Sequence, residues 1–267
     1  MGKPFFVIGS VRVGRSQSIG TYDGAERRTA IAKEAVTGPV ELTPTGFTGD
    51  EQFHTHVHGG PDKAVHQYPA ESYGFWRERH PEALERFVPG AFGENLSTTG
   101  VAEGDVCIGD VVRAGSVVLE LTQPREPCGT LSKWFGIADF AEEVQQTRRC
   151  GWYWRVLETG TVDAGEEAEL LERPNPAWSV DRVLRLWWED PMNRELLTEL
   201  LALKGLSARW QEKTRERLET AKVPLGGIET FLQTYVPLHT IGLGWIPFAV
   251  VGFVIGFIQK SMTPAKA

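Results

Sequence analysis

The chain has 267 residues, 41% of them hydrophobic, and a formal net charge of −7, a length that supports one large domain or two modest ones. The acidic balance argues against general nucleic-acid binding, which asks for a basic excess, but leaves room for a local basic pocket. Three cysteines, Cys107, Cys128 and Cys150, are too few and too scattered for a disulfide framework or a CxxC metal knot, so a reduced, cytoplasmic setting is expected, and "MGKPFFVIGSVRVGRSQ" lacks the apolar run of a secretion signal.

In chain order, the first predicted elements are strands. Short apolar runs, "PFFVIGSVRV", "VCIGDVVRAG", "VVLELTQP", "GWYWRVLETG" and "EAELLERP", are separated by turn signals, the pattern of a barrel or sandwich over residues 1–176. "GDVVRAGSVVLEL" reads as a hairpin turning at Ala114-Gly115. One helix is expected to interrupt the strands: "PAESYGFWRERHPEAL", with Pro69 near its first turn and Tyr73, Phe75 and Trp76 toward the core.

After "RPNPAW" the period changes. Ser179 is a candidate N-cap for "VDRVLRLWW", Asp190-Pro191 starts "PMNRELLTELLALKG", closed by Gly205, and Ser207 caps "ARWQEKTRERLE". Residues 177–222 thus read as a small three-helix appendage. Residues 223–267 form a separate apolar tail. Thr240–Ile258 carries no charge over 19 positions; as a helix it would span about 28 Å, roughly a bilayer core. Gly252 and Gly256 would give a close-packing face and Lys260 an interfacial cation. Membrane contact through residues 240–258 stands beside a helix docked on the body or a fused extension.

Four of the six histidines fall in "HTHVHGGPDKAVHQYP". On a strand His54, His56 and His58 would share one face, as zinc ligands do, yet a polar strand face has the same spacing. After the Gly59-Gly60-Pro61-Asp62 turn, Lys63, His66 and Tyr68 could face an anion, or form an ordinary surface loop. "PGAFGENLSTTGV" offers donors suited to phosphate without the spacing of a Walker loop. Cys128, between Pro127 and Gly129 and three residues after Arg125, has three readings: a packed thiol, a nucleophile, or a soft-metal thiolate. Two prolines stiffen the backbone and favour the last two alike. Cys107 and Cys150 read as packing thiols.

Taken in order, "VHGGPDKAVHQYP", "PGAFGENLSTTG", "DVCIGDVVRAG", "LTQPREPCGTL" and "GWYWRVLETGTVDAGEEAELLERP" closely resemble the MOSC domain, the family named for the C-terminal domain of molybdenum-cofactor sulfurases. The helical segment is similar to the bacterial YiiM-like branch, linked to resistance to N-hydroxylated base analogues. The resemblance covers residues 3–222. It implies a mainly β fold, a MOSC-type β-barrel with a three-helix segment, beside which the sequence sets an apolar tail helix. It also implies a bound molybdenum cofactor (molybdopterin), with Cys128 as metal ligand and catalytic residue, and Arg125, Lys63, His58, Asn95 and Glu94 around the cofactor. Glu166-Glu167 stands where the family pattern has a Gly-Asp pair, and Gly129 where a bulkier residue is common, a change that would widen the pocket.

The implied activity is reduction of N-hydroxylated compounds, hydroxylaminopurines or amidoximes, to amines. The electrons would come from a separate flavin or iron–sulfur reductase, since the chain has no ferredoxin-type cysteine run and no GxGxxG loop. A carrier of molybdenum cofactor or sulfur, working through a Cys128 persulfide, is the alternative. The tail also resembles the closing segment of bacterial branched-chain amino-acid permeases, which implies a fused fragment.

Overall fold

The computed structural model describes residues 3–22, 25–51 and 59–220. The strands are β1 (Phe6–Val13), β2 (Gln17–Tyr22), β3 (Ala25–Thr29), β4 (Glu34–Ala35), β5 (Val40–Thr43), β6 (Gly46–Phe47), β7 (Val65–Pro69), β8 (Leu96–Thr99), β9 (Val111–Ala114), β10 (Val117–Pro124), β11 (Trp152–Glu158), β12 (Gly160–Val162) and β13 (Glu167–Glu172). The helices are α1 (Glu71–Arg79), α2 (Gly129–Phe135), α3 (Phe140–Thr147), α4 (Val180–Glu189), α5 (Arg194–Leu201) and α6 (Ala208–Thr220).

Strands pair in the order β13-β9-β10-β11-β7-β8-β1, and β1 returns to β13 through Phe6↔Ala168, so the sheet closes into a barrel. Closure leaves no edge within the ring. All its pairings are antiparallel except β7 with β8. The mainly β barrel with C-terminal helices is the expected fold; the tail helix lies outside the described residues. Among the described residues no helix is long and apolar enough to cross a membrane.

Several local expectations are corrected. The β9–β10 hairpin turns at Gly115-Ser116, because Ala114 still pairs with Val117, and Gly115 supplies the positive φ of 58°. Pro69 closes β7 rather than opening a helix, and α1 starts at Glu71 with Tyr73 and Trp76 buried. Two further helices, α2 and α3, break the β region. They carry Phe135 and Phe140 into an aromatic layer with Trp76, Phe87 and Phe92.

The C-terminal helices pack on the barrel. Ser179 caps α4 by accepting from the Arg182 N–H, α5 starts after Asn193, its cap, rather than at Asp190-Pro191, and the Ser207 hydroxyl accepts from the Trp210 N–H in α6. Val180, Leu184, Trp187, Leu200 and Trp210 belong to the same buried cluster as the barrel's Leu121 and Trp154. Burying a side chain of this size stabilises the fold by about 1.5–3 kcal/mol, so the helices and barrel share one core. Cys107 lies in a turn bridged to Ser179, not in a strand, and is buried like Cys150.

Candidate functional site

Three adjacent strands build the floor of the site. Gln123 on β10 pairs with Tyr153 on β11, and Tyr153 with His66 on β7. Directly paired residues project from the same face of a sheet, so these side chains form one row. The opposite face is closed by a satisfied pair: Trp154 Nε1 donates to Gln67 Oε1 at 2.7 Å, and Gln67 Nε2 to Thr98 at 2.7 Å. The row is not satisfied in this way. Buried polar atoms without a partner include Gln123 Oε1, Arg125 Nη1 and His66 Nε2.

Beyond β10 the Pro124–Cys128 loop is held at two consecutive residues. The Arg125 N–H donates to the Gly151 carbonyl at 3.0 Å, and Lys213 on α6 donates to both Glu126 carboxylate oxygens at 2.6 and 2.7 Å. Gly151 is required here: φ is 74°, and a Cβ would sit 2.3 Å from the Gln67 carbonyl oxygen. Cys128 is extended (φ −135°, ψ 161°) and half-buried at the start of α2. A Cβ at Gly129 would meet nothing within 4 Å, so the backbone beside the thiol is open. Arg125 is only 6% exposed. Its charge acts on the Tyr153 hydroxyl, which burial pushes above the usual phenol range and Arg125 pulls back.

A 3-10 turn, Pro61–Lys63, brings Lys63 to the same place. Asp62 fixes that turn: its carboxylate accepts from Arg155 Nε at 2.9 Å and from the Ala208 N–H at 3.0 Å, while its carbonyl accepts from the Thr122 hydroxyl at 2.6 Å. Lys63 is buried beside the Tyr153 ring, 5.8 Å from its centroid. Burial, then the neighbouring Arg209 charge, lowers the Lys63 pKa to about 8. A cleft of about 520 Å³ opens here, lined by Lys63 and Gln123 on one side and by Arg209, Glu212 and Arg215 of α6 on the other.

The remaining expected residues fall into different roles. His66 is buried, and burial followed by the Arg125 charge lowers its pKa to about 3, so it stays neutral. Tyr68 does not face a ligand: it stacks on Phe92 at 4.2 Å, accepts from Trp76 Nε1 at 2.7 Å and donates to the Arg149 carbonyl at 3.2 Å. Glu94 is fully buried and accepts from the Tyr73 hydroxyl, the Gly90 N–H and the Phe92 N–H. Asn95 accepts from the His66 N–H and donates to the Arg12 carbonyl and to Asp50. Both therefore hold the loop by internal bonds. His54, His56 and His58 lie outside the described residues.

Cys128, Arg125, Lys63 and His66 are thus joined by Gln123, Tyr153 and Arg209, which were not singled out from the sequence. Gln123 carried a signal, standing near the end of an apolar run two residues before Arg125. Arg209 carried none. Among the described residues no group of three His, Cys, Asp or Glu could hold a metal, so a metal at Cys128 would need ligands brought with it. A thiolate is a fitting single ligand for a soft, sulfur-bound metal.

Residues 54–169 match the MOSC domain family, and residues 178–221 match the YiiM-like, 3-alpha helix domain. The chain is 40% identical over 195 residues to Protein YiiM of Escherichia coli (strain K12), covering 73% of this chain and 87% of that one. It is 38% identical over 216 residues to a protein named Reductase from Gibberella moniliformis, covering 80% of this chain and 38% of that longer one. The crystal structure of YiiM from Geobacillus stearothermophilus superposes with a TM-score of 0.67 at 31% identity, covering 80% of this chain and 99% of that one.

Proposed function

The chain belongs to the MOSC domain family, in its YiiM-like branch, and from that premise we propose that it is an oxidoreductase that uses a molybdenum cofactor to reduce N-hydroxylated compounds to amines. The observation that carries this reading is the buried, partnerless Arg125 Nη1 three residues before a half-buried Cys128, on a loop pinned at Arg125 and Glu126. An orphaned buried guanidinium nitrogen costs about 1–3 kcal/mol unless something fills it, and an anion such as the phosphate of a pterin cofactor fits. The name Reductase on a longer relative supports the reaction class.

When bound, the cofactor supplies a two-electron metal centre able to take an oxygen from an N–O bond. Everything else falls to this chain. Cys128 offers one thiolate ligand; Arg125 and Lys63 bind the cofactor's anionic group, the first as a planar fork and the second as a point charge. Gly151 and Glu126 fix the loop so that the sulfur keeps one position. The overall change, R–NH–OH + 2H⁺ + 2e⁻ → R–NH₂ + H₂O, needs two protons. His66, held neutral by burial with a pKa of about 3, carries no extra proton to give near neutrality. The electrons come from a separate flavin or iron–sulfur donor.

The test is turnover of 6-hydroxylaminopurine by molybdenum-loaded protein with a reduced viologen as donor. Cys128→Ala should lose at least about a hundredfold in rate, some 2.7 kcal/mol of barrier; wild-type turnover in that variant would sink the mechanism. A stable extra sulfur on Cys128, in protein without molybdenum, would replace this reading by that of a sulfur carrier.

A further inference from the structure

The α6 helix brings its own charges to the cleft. Asp62 accepts from the Ala208 N–H, so the barrel and the first turn of α6 are bonded at the cleft's edge. The next residue, Arg209, is exposed and has no hydrogen bond or ion pair to any described residue. Arg215, on the same helix, donates only to Gln211 Oε1 at 3.0 Å. Against Lys63, Arg209 and Arg215 the cleft sets Asp62, already occupied by Arg155 and the Ala208 N–H, and Glu212. A cation-rich cleft in a chain of net charge −7 repels itself unless an anion sits in it, and it steers anions inward.

Of the cations that line the cleft, Lys63 comes from the barrel and Arg209 and Arg215 from the added helix. With Lys63 and Arg125 assigned to the cofactor, the helix's pair is left for a second anion. At the floor, Gln123 Nε2 donates to the Pro124 carbonyl at 3.4 Å, which leaves Oε1 as a buried acceptor without a partner. That acceptor calls for an N–H. A cleft of about 520 Å³ is of the size that takes a small ligand, about 300–1,000 Å³.

We propose that α6 supplies a substrate subsite: Arg209, with Arg215, binds a phosphate monoester on the substrate while Gln123 Oε1 accepts an N–H from its base, so that the N-hydroxylated substrate is taken as a nucleotide rather than as a free base. This rests on the reductase reading for the identity of the base, but not for the phosphate. Arg209 is a specificity residue and takes no part in bond breaking.

The experiment uses full-length, molybdenum-loaded protein and two unreactive probes, adenosine 5′-monophosphate and adenosine, titrated calorimetrically at low and raised salt. The nucleotide should bind about tenfold tighter or more than the nucleoside, as a charge-assisted contact provides, and raised salt should shrink the difference. Arg209→Ala should remove most of the advantage, leaving adenosine binding and molybdenum content unchanged, and Arg209→Lys should restore part of it. Equal binding of the two probes would overturn the proposal, as would an Arg209→Ala variant that weakens both equally. Loss of molybdenum from Arg209→Ala with nucleotide binding intact would assign the arginine to the cofactor and also overturn it. Nucleotide binding that depends on Arg209 in a protein with no reductase activity would sink the reductase reading alone.

Discussion

Two buried polar clusters lie side by side on this barrel, joined at Asn95 and His66, and they differ in how completely they are satisfied. In the first, Asp50 receives the Lys33 ammonium, the Asn95 amide and the Gly14 N–H, while Glu94 receives one hydroxyl and two backbone N–H groups. In the second, Gln123 Oε1, Arg125 Nη1 and His66 Nε2 have no partner at all. Internal satisfaction marks a cluster that stabilises the fold, and unsatisfied burial marks one shaped for something that binds. The two should then respond oppositely to truncation: the first in stability, the second in binding.

The largest effect is expected where the satisfied cluster is broken. Asp50→Ala removes the counter-charge of Lys33, both side chains being almost fully buried, takes one of the two acceptors of the Asn95 amide and leaves the Gly14 N–H unpaired. Breaking a buried pair from one side costs about 3–5 kcal/mol. Chemical denaturation should show a midpoint shift of that size; a change under about 1 kcal/mol would mean that the cluster is not what holds the loop. Glu94→Gln should cost less, about 1–3 kcal/mol, because one N–H acceptor becomes a donor facing Phe92. Burial already pushes the Glu94 carboxyl above its usual range, against the hydrogen bonds from Gly90 and Tyr73.

The unsatisfied cluster should behave the other way. Arg125→Met keeps the aliphatic stem and removes a guanidinium whose Nη1 has no partner, so the unfolding free energy should stay within about 1 kcal/mol of wild type. Molybdenum content, measured by elemental analysis, should nevertheless fall severalfold. A variant that loses several kcal/mol of stability instead would move Arg125 into the structural cluster. Gln123→Met is the milder version. It removes a partnerless acceptor, leaves stability unchanged or slightly raised, and should weaken nucleotide and nucleoside binding alike, by about fivefold.

How much of this was legible beforehand depends on the range of the interactions. The apolar runs in "VVLELTQP" and "GWYWRVLE", bounded by turn signals, exposed β10, buried along its whole length, and β11, whose first residues alternate between buried and part-buried. The short helices α2 and α3 escaped: "GTLSKWF" and "FAEEVQQT" are too short to show a helical period, and their burial is decided by Trp76 and Phe87, far away in the chain. Cys128 and Arg125 stood out through their prolines, and Gln123 could have been read from the same strand. For Tyr68 an anion-facing place and a surface loop both stayed open, because nothing local shows that Phe92 and Trp76 enclose it. Arg209 was beyond reach, since its place depends on a bond between Asp62 and Ala208 across 146 residues. Pairwise strand chemistry is local; the closing of a cleft by a distant helix is not.

The smallest effect, and the one that tests the comparison most finely, is the pH dependence of Lys63. Its ammonium is pressed down to about 8 by burial, Arg209 and Lys213, against the pull of Glu126 and Asp62. Since the charged form is disfavoured in the folded chain, the buried Lys63 detracts from stability at pH 7, where it must be held protonated, and that cost fades as pH rises through about 8 toward the ordinary lysine value of about 10.5. An anion in the cleft reverses the sign, because it stabilises the ammonium and raises its pKa. The rise in melting temperature produced by adenosine 5′-monophosphate should therefore be greatest below pH 8 and shrink above it, where binding must first return a proton to the amine. Lys63→Met should stabilise the empty protein at pH 7 and flatten that pH dependence. If the ligand-induced shift instead stays constant from pH 6 to pH 9 in wild-type protein, Lys63 belongs with the satisfied cluster, and the boundary drawn between the two must move.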